Sequence, residues 1–430
     1  MDRRASTGGA PGSRHGRSHH QYGRDPEEGR SALNDQTQDQ WKRWGSLAER
    51  YREPRPRKIL ALDGGGIRGV ITLGVLKRLE DELRQARGGQ ESFRLSDFFD
   101  LVGGTSTGAI IAAGLARGMS VDEITSFYRE FGTMAFERRK VWMLWQSLYG
   151  DGKLAKTLQQ TFGADTDLSP ENLRCILTCV ARNATTDSAW PISSNPAAKY
   201  NDPGRADCNL RIQLWKLVRA STAAPVYFPP EVISWDDTDP AKSFVFVDGG
   251  TTAYNNPAFL LFKMATEPAY RLGWPTGERN LLIVSVGTGA APAIGGTAED
   301  PDTNLLEAAT NTLSALMSQA SVDQDISCRV VGRCTHGGIL DHEIHDLVPV
   351  DPGIPSQPLS LGKDLGKAFI YARYNAELTS EGMKQLNLTG IKADKMRKMD
   401  DARNIDDLTK IGAAVGKTVD LAHLGDFVTA

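Results

Sequence analysis

A serine with a glycine two residues to either side, Gly104-Thr105-Ser106-Thr107-Gly108, separates an apolar run from a run of small residues with helical spacing. The spacing suits a nucleophile elbow. Such a turn holds the hydroxyl in a strained conformation between strand and helix, and the residues two before and two after must be small so that neighbouring backbone can approach. The helix starting after Ser106 adds N–H donors and a positive dipole end, which favour developing negative charge. A serine hydroxyl also needs a base. Asp248, at the end of the apolar run SFVFVD and followed by Gly249 and Gly250, stands where open α/β sheets place their sites. With an ordinary pKa of about 4 it would be a weak base, so it must be partly buried and aimed at the hydroxyl. A third element is KILALDGGGIRGV, Lys58 to Val70. Its Gly64, Gly65 and Gly66 lie between a strand and a helix, a loop that aims backbone N–H groups at a cofactor's pyrophosphate or at the oxyanion of an acyl-transfer intermediate.

Other residues compete for these roles. Of the seven histidines, His15, His19 and His20 are near the start and His336, His342, His345 and His423 come late. The chain order Ser106, Asp248, then His336 or His342 leaves open a full triad acting on small acyl esters. However, THGGILDHEIHDL is polar, with no apolar strand to deliver its histidines. GGGIRG also satisfies the G-x-G-x-x-G of dinucleotide-binding oxidoreductases, which want an acid at the end of the next strand. Here Glu80, Asp81 and Glu82 fall inside the predicted helix. The HEIH at His342 to His345 is too short for a zinc-protease helix, so no metal is expected.

The elements needed to position these groups follow from periodicity. KILALD is predicted as a buried parallel strand and VITLGVLKRLEDELRQA as an amphipathic helix. LSDFFDLVGGTSTGAIIAAGLARG repeats the strand, turn and helix order. Further strands are predicted in LRCILTCVARN, SFVFVDGG and NLLIVSVGTG, and a helix in LRIQLWKLVRASTAAP. Alternation of this kind implies an α/β fold with a mostly parallel central sheet between helical layers. APAIGGTAEDPDTN is predicted as a loop and ADKMRKMDDARNIDDLTKIGAAVGKTV as surface helix.

The chain has 430 residues, 40% of them hydrophobic and 24% charged, enough for one large or two smaller globular units. A formal net charge of -3 with interspersed signs argues against nucleic acid as the main partner. Five cysteines, an odd number without C-x-x-C spacing, read as reduced thiols of a cytosolic protein. No apolar run reaches the length of a membrane span. The Arg-, Gly-, His- and Ser-rich start lacks the apolar stretch of a secretory signal and reads as a disordered leader. FERRKVWMLWQSLYG, with Trp142 and Trp145 after three basic residues, reads either as a core helix or as a segment at a lipid interface.

DGGGIRG, GTSTG and DGG, in this order, resemble the patatin-like phospholipases. RASTAAPVYFPPE at Arg219 to Glu231, NNP at Asn255 to Pro257 and GTG at Gly287 to Gly289 fit the same family. The resemblance implies a three-layer α/β/α fold and a Ser-Asp dyad without histidine, metal or cofactor. By it, Ser106 is the nucleophile, Asp248 the general base, and Gly64, Gly65 and Gly66 the oxyanion hole. Gly69, Gly104, Gly108, Gly249 and Gly250 complete the motifs, and Arg68 adds positive charge near the lipid phosphate. DGG stands where DGA is frequent, which leaves the dyad chemistry undisturbed. The implied substrate is membrane glycerophospholipid, met peripherally at the inner face of the membrane by a cytoplasmic protein. An enzyme that would otherwise attack its own membranes is expected to be controlled by a ligand or by homo-oligomer assembly. The broader family includes cyclic-nucleotide-activated anti-phage effectors, so a nucleotide activator is an expectation here. An inactive lipid-binding scaffold is the contrasting reading, against which the intact Ser106 and Asp248 speak. The domain layout expected is 1–55 as leader and short helix, 56–350 as the catalytic domain, and 351–430 as a C-terminal helical extension packed on it.

Overall fold

The computed structural model describes residues 41–136, 151–225, 227–236, 238–290, 305–340 and 366–429. The leader, Trp142 and Trp145, the loop 291–304, His342 and His345 therefore lie outside the described residues. Contacts divide the chain into Met1–Lys42 and Arg43–Ala430.

The second unit is built on a sheet of β1 (Arg57–Leu62), β2 (Leu101–Thr105), β3 (Ile176–Asn183), β4 (Ser188–Ser193), β5 (Glu231–Ser234), β6 (Ser243–Asp248), β7 (Leu281–Val286), β8 (Arg333–His336) and β9 (Ile370–Tyr374). The order across it is β5-β6-β3-β2-β1-β7-β9-β8, with β4 also paired to β3. The pairings of β1 with β2 and β7, of β2 with β3, and of β9 with β7 and β8 are parallel. β4 and β6 run antiparallel to β3, and β5 to β6. Every residue of β1, β2, β7 and β9 is buried. Burial without alternation requires cover on both faces, so the architecture is the three-layer α/β/α one expected from the apolar runs. The longer helices are α1 (Gly69–Ala86), α2 (Thr107–Ala116), α3 (Val121–Phe136), α4 (Asp151–Phe162), α5 (Leu214–Thr222), α6 (Ala258–Thr266), α7 (Leu305–Val331) and α8 (Ile405–Gly416). No helix among the described residues is long and apolar enough to cross a membrane. All five cysteines are buried and unbridged.

Two findings revise the expected layout. β9 lies in the part read as a helical extension, yet it pairs with β7 inside the sheet, so the sheet runs through the boundary placed at 350. The segment read as surface helix also enters the core. Leu408, Ile411 and Val415 of α8 are buried, and α8 lies so close to α1 that a methyl group on Gly74 would stand 2.4 Å from the Gly412 carbonyl carbon. High charge concealed the buried stripe, which Leu408, Ile411 and Val415 form on one helix face.

The feature that matters most is at β3. β4 occupies one of its edges. Along the other, β2 pairs in parallel up to Thr105 opposite Val180, and β6 pairs antiparallel down to Asp248 opposite Ala181. Two strands thus meet end to end in one lane, and their last residues bring position 106 to position 248. The junction is tight: a methyl group on Gly249 would stand 2.1 Å from the Val180 carbonyl oxygen. At Gly250 the closest atom to such a methyl is the tip of the Met317 side chain, at 2.7 Å. Gly249→Ala is therefore expected to lower stability by about 1–3 kcal/mol, the usual scale for overpacking, whereas Gly250→Ala, where a flexible side chain can yield, should stay near wild type. Denaturant unfolding of the two variants checks this, and equal effects would contradict it.

Candidate active site

Ser106 follows β2 and precedes α2 with φ 54° and ψ −121°, a positive φ that a residue with a side chain rarely adopts and that costs on the order of 1–3 kcal/mol. The elbow tolerates this conformation because its surroundings leave no alternative. A methyl group on Gly104 would lie 2.1 Å from the Gly108 carbonyl, and one on Gly108 2.2 Å from the Leu62 carbonyl oxygen. The two glycines thus let strand, turn and helix close on each other. The Ser106 N–H donates to Ser221 Oγ at 2.9 Å, and Ser221 Oγ donates to the Val180 carbonyl at 2.6 Å. Ser221, from RASTAAP, thereby links the elbow to the point of β3 where β2 ends.

Ser106 Oγ donates to Asp248 Oδ2 at 2.6 Å. The second carboxylate oxygen, Oδ1, accepts the Gly250 N–H at 2.7 Å, which leaves Oδ2 facing the serine. Asp248 is 4% exposed. Burial pushes its pKa up from 3.8 to about 6, opposed by the hydrogen bonds from Ser106 and Gly250. The condition set by chemistry, a buried aspartate aimed at the hydroxyl, is met.

The glycine loop is fastened on all sides. Gly64 N–H donates to the Asn255 carbonyl at 3.0 Å, and the Gly64 carbonyl accepts Thr288 Oγ1 at 2.8 Å. The Gly66 carbonyl accepts Thr107 Oγ1 at 2.9 Å and the Tyr128 hydroxyl. Ile67 N–H donates to the Met399 carbonyl at 2.8 Å. Gly66 has φ 57°, and a methyl there would stand 2.2 Å from the Met399 carbonyl oxygen. Among the described residues the N–H groups of Gly65 and Gly66 have no acceptor. Of the three glycines expected to form an oxyanion hole, Gly64 thus has its amide already engaged, and Gly65 and Gly66 hold the two that remain. Asn255 and Thr288, known from the sequence only as parts of NNP and GTG, prove to be the loop's supports. Gly69 lies where a methyl would meet Thr107 Cγ2 at 2.1 Å.

Arg68 is 9% exposed, with Nε facing the Gly65 carbonyl at 3.5 Å. Burial lowers its pKa to about 10 against the pull of Asp63, so it keeps its charge at neutral pH. An apolar pocket opens at Ser106, Gly66 and Asp248 and is lined by Ile110, Tyr128, Phe131, Leu154, Phe228 and Met317. Sequence reasoning did not locate it, because its walls come from α2, α3, α4, α7 and the loop after α5.

Among the described residues the competing roles find no place here, while His342 lies outside them. His336 stands on β8, at the sheet edge opposite the β5–β6 end, stacked on His423 with ring centroids 4.3 Å apart. Burial and the neighbouring His423 and Arg329 lower its pKa to about 4. His336 is therefore not a triad member with Asp248. The strand after the glycine loop ends at Thr105, and Glu80, Asp81 and Glu82 lie within α1, so the acid that a dinucleotide's ribose requires is missing from its position. Among the described residues no group of His, Cys, Asp and Glu side chains could hold a metal ion.

Residues 60–262 match the family model described as patatin-like phospholipase. Patatin-15 of Solanum tuberosum is 29% identical over 249 residues, 54% of this chain and 60% of the relative. Patatin-2-Kuras 1 of the same species is 27% identical over 245 residues, 54% of this chain and 62% of the relative. The chain thus spans about three fifths of the length of these curated relatives. The crystal structure of VipD from Legionella pneumophila is a distant likeness, 15% identical with a TM-score of 0.31, covering 81% of this chain and 67% of that one. DGGGIRG, GTSTG and DGG all lie inside the matched segment, and the family match together with the patatin relatives supports a patatin-like phospholipase family for this chain.

Proposed function

We propose that the protein is a carboxylic ester hydrolase that removes fatty-acyl chains from membrane glycerophospholipids through a Ser106–Asp248 dyad. The observation that carries the reading is the 2.6 Å hydrogen bond from Ser106 Oγ to the buried carboxylate, at the mouth of an apolar pocket. Asp248 takes the serine proton as Oγ bonds to the ester carbonyl carbon. The carbonyl oxygen, now negative, turns to the Gly65 and Gly66 amides, and such donors are worth about 10²–10³ in rate each. Collapse breaks the ester bond, and Asp248 returns the proton to the departing alcohol of the lysolipid. Water then attacks the acyl-serine as Asp248 takes its proton. Fatty acid leaves, and the proton goes back to Ser106 Oγ. The apolar pocket suits the acyl chain. Arg68, charged behind the same loop, adds positive potential for the lipid phosphate.

The pKa of about 6 places the base near neutrality, where it is ionised yet basic enough to act. The same shift has a stability side. In the unfolded chain the carboxyl ionises near 3.8, and in the fold it holds its proton up to about 6. Between these values stability falls as pH rises, and above them the ionised group costs on the order of 3 kcal/mol.

The inner-membrane location, control by a nucleotide activator and homo-oligomer assembly are carried over from the resemblance alone. The assay addresses control directly. Fatty-acid release from mixed phospholipid vesicles, with and without cyclic nucleotides, should fall to the vesicle background in Ser106→Ala and by about 10²–10⁴-fold in Asp248→Asn. Release by Ser106→Ala at the wild-type rate would refute the dyad. For the wild type, kcat/KM should rise with pH through a midpoint near 6, and a midpoint near 4 would show an unperturbed carboxylate. Asp248→Asn should raise Tm at pH 8, with the gain fading as pH falls from 6 toward 3.8, and thermal melts across this range check it.

A further inference from the structure

Behind the glycine loop lies a buried ion network that the dyad chemistry does not use. Arg373, the penultimate residue of β9, forks onto Asp63, with Nη1 2.7 Å from Oδ1 and Nη2 2.6 Å from Oδ2. Nη1 also donates to Ser285 Oγ at 2.7 Å. Arg373 Nε stands 3.9 Å from Asp325 Oδ2 on α7, and Asp325 is gripped by Arg329 one turn further along, at 2.8 and 3.0 Å. All four residues are at most 4% exposed. Two cations and two anions make the cluster neutral, the condition under which buried ions persist.

Its position gives it a task. Asp63 immediately precedes Gly64, Gly65 and Gly66, which have no side chains of their own to fasten them. The Asp63 carboxylate is the last side-chain anchor before the two free amides. Helix α7 reaches the same loop a second way. Met317, Ser321, Asp325 and Arg329 recur every four residues and so share one face. Met317 lines the pocket. Ser321 Oγ accepts Asn255 Nδ2 at 2.9 Å, and Asn255 is the residue whose carbonyl takes the Gly64 N–H. Asp325 backs Arg373. Ser285, Ser321, Asp325, Arg329 and Arg373 all lie beyond the residues that the family model matches.

We propose that Arg373 is a positioning residue of the acyl-transfer site, which aims the Gly65 and Gly66 amides by clamping Asp63 and is itself set by the Ser321–Asp325–Arg329 face of α7. The proposal rests on the hydrolase reading above. The planar fork is what the clamp requires, so lysine, with the same charge on a single ammonium, cannot replace it. A displaced oxyanion loop weakens the transition state and leaves substrate binding in the apolar pocket intact, whereas a merely structural cluster would move Tm alone.

The test uses the full chain with a p-nitrophenyl acyl ester, comparing wild type, Ser106→Ala, Arg373→Lys and the double variant Asp63→Asn/Arg373→Gln. The double variant removes both charges of the fork together and leaves the Asp325–Arg329 pair in place, so it remains informative should Arg373→Lys fail to fold. Each folded Arg373 variant is expected to lose kcat by about 10²-fold, the scale of a 1 Å misplacement, with KM within twofold of wild type. Phosphonylation of Ser106 by a fluorophosphonate, in which the Oγ–P bond forms and fluoride leaves, should slow by the same factor. A folded Arg373 variant with kcat within twofold of wild type, or a loss confined to KM, would overturn the proposal. Turnover by Ser106→Ala at the wild-type rate would instead overturn the dyad reading, so the two failures are distinguishable.

Discussion

The site depends on two strands arriving end to end on the same edge of β3. β2 ends opposite Val180 and β6 opposite Ala181, and this adjacency is what joins a serine to an aspartate 142 residues later. The pairing of β6 runs against the parallel grain of the sheet, and that reversal points its C-terminal carboxylate back at the elbow. Parallel strands put all their C-terminal ends at one side. An antiparallel strand in the same lane lets two such ends face each other at bonding distance. The close contacts at Gly104, Gly108 and Gly249 follow from this crowding.

A buried carboxylate is costly to ionise, and among the described residues no cation is placed on Asp248. Its partners are a hydroxyl and a backbone N–H. An arginine there would hold the charge more comfortably and depress the basicity that the proton transfer needs. The contrast with Asp63 is instructive. Equally buried and likewise pushed upward by burial, it receives a bidentate guanidinium whose charge opposes that shift and holds the carboxylate in place. Burial is the largest influence at both aspartates, and what separates them is the partner: a hydroxyl at Asp248 and a guanidinium at Asp63.

The Ser106–Asp248 pairing and the glycine loop were legible in the sequence because each partner sits where local rules put it. A strand, a turn of small residues and a helix are encoded within a few positions, and Ser106, Asp248 and Gly64 to Gly66 all sit at such junctions. The pieces that assemble across the fold were not legible. The engagement of the Gly64 amide depends on Asn255, 191 residues away, and nothing local to either residue foretells the bond. β9 escaped because Arg373 interrupts an otherwise apolar IYARY, and the charge makes sense only once Asp63, 310 residues earlier, is beside it. The apolar pocket escaped because its lining is spread over five elements, each of which reads as ordinary core. Ser221 was visible only as part of RASTAAP, with its link between the elbow and β3 hidden.

The central claim, that Ser106 is activated by Asp248 alone, is tested most directly by locating the residue that an acylating probe modifies and following the rate with pH. Mass spectrometry after fluorophosphonate treatment should place the adduct on Ser106, with a labelling rate that rises through pH about 6 and collapses in Asp248→Asn. An adduct on another serine, or labelling of Ser106 that persists at the wild-type rate in Asp248→Asn, would contradict the account.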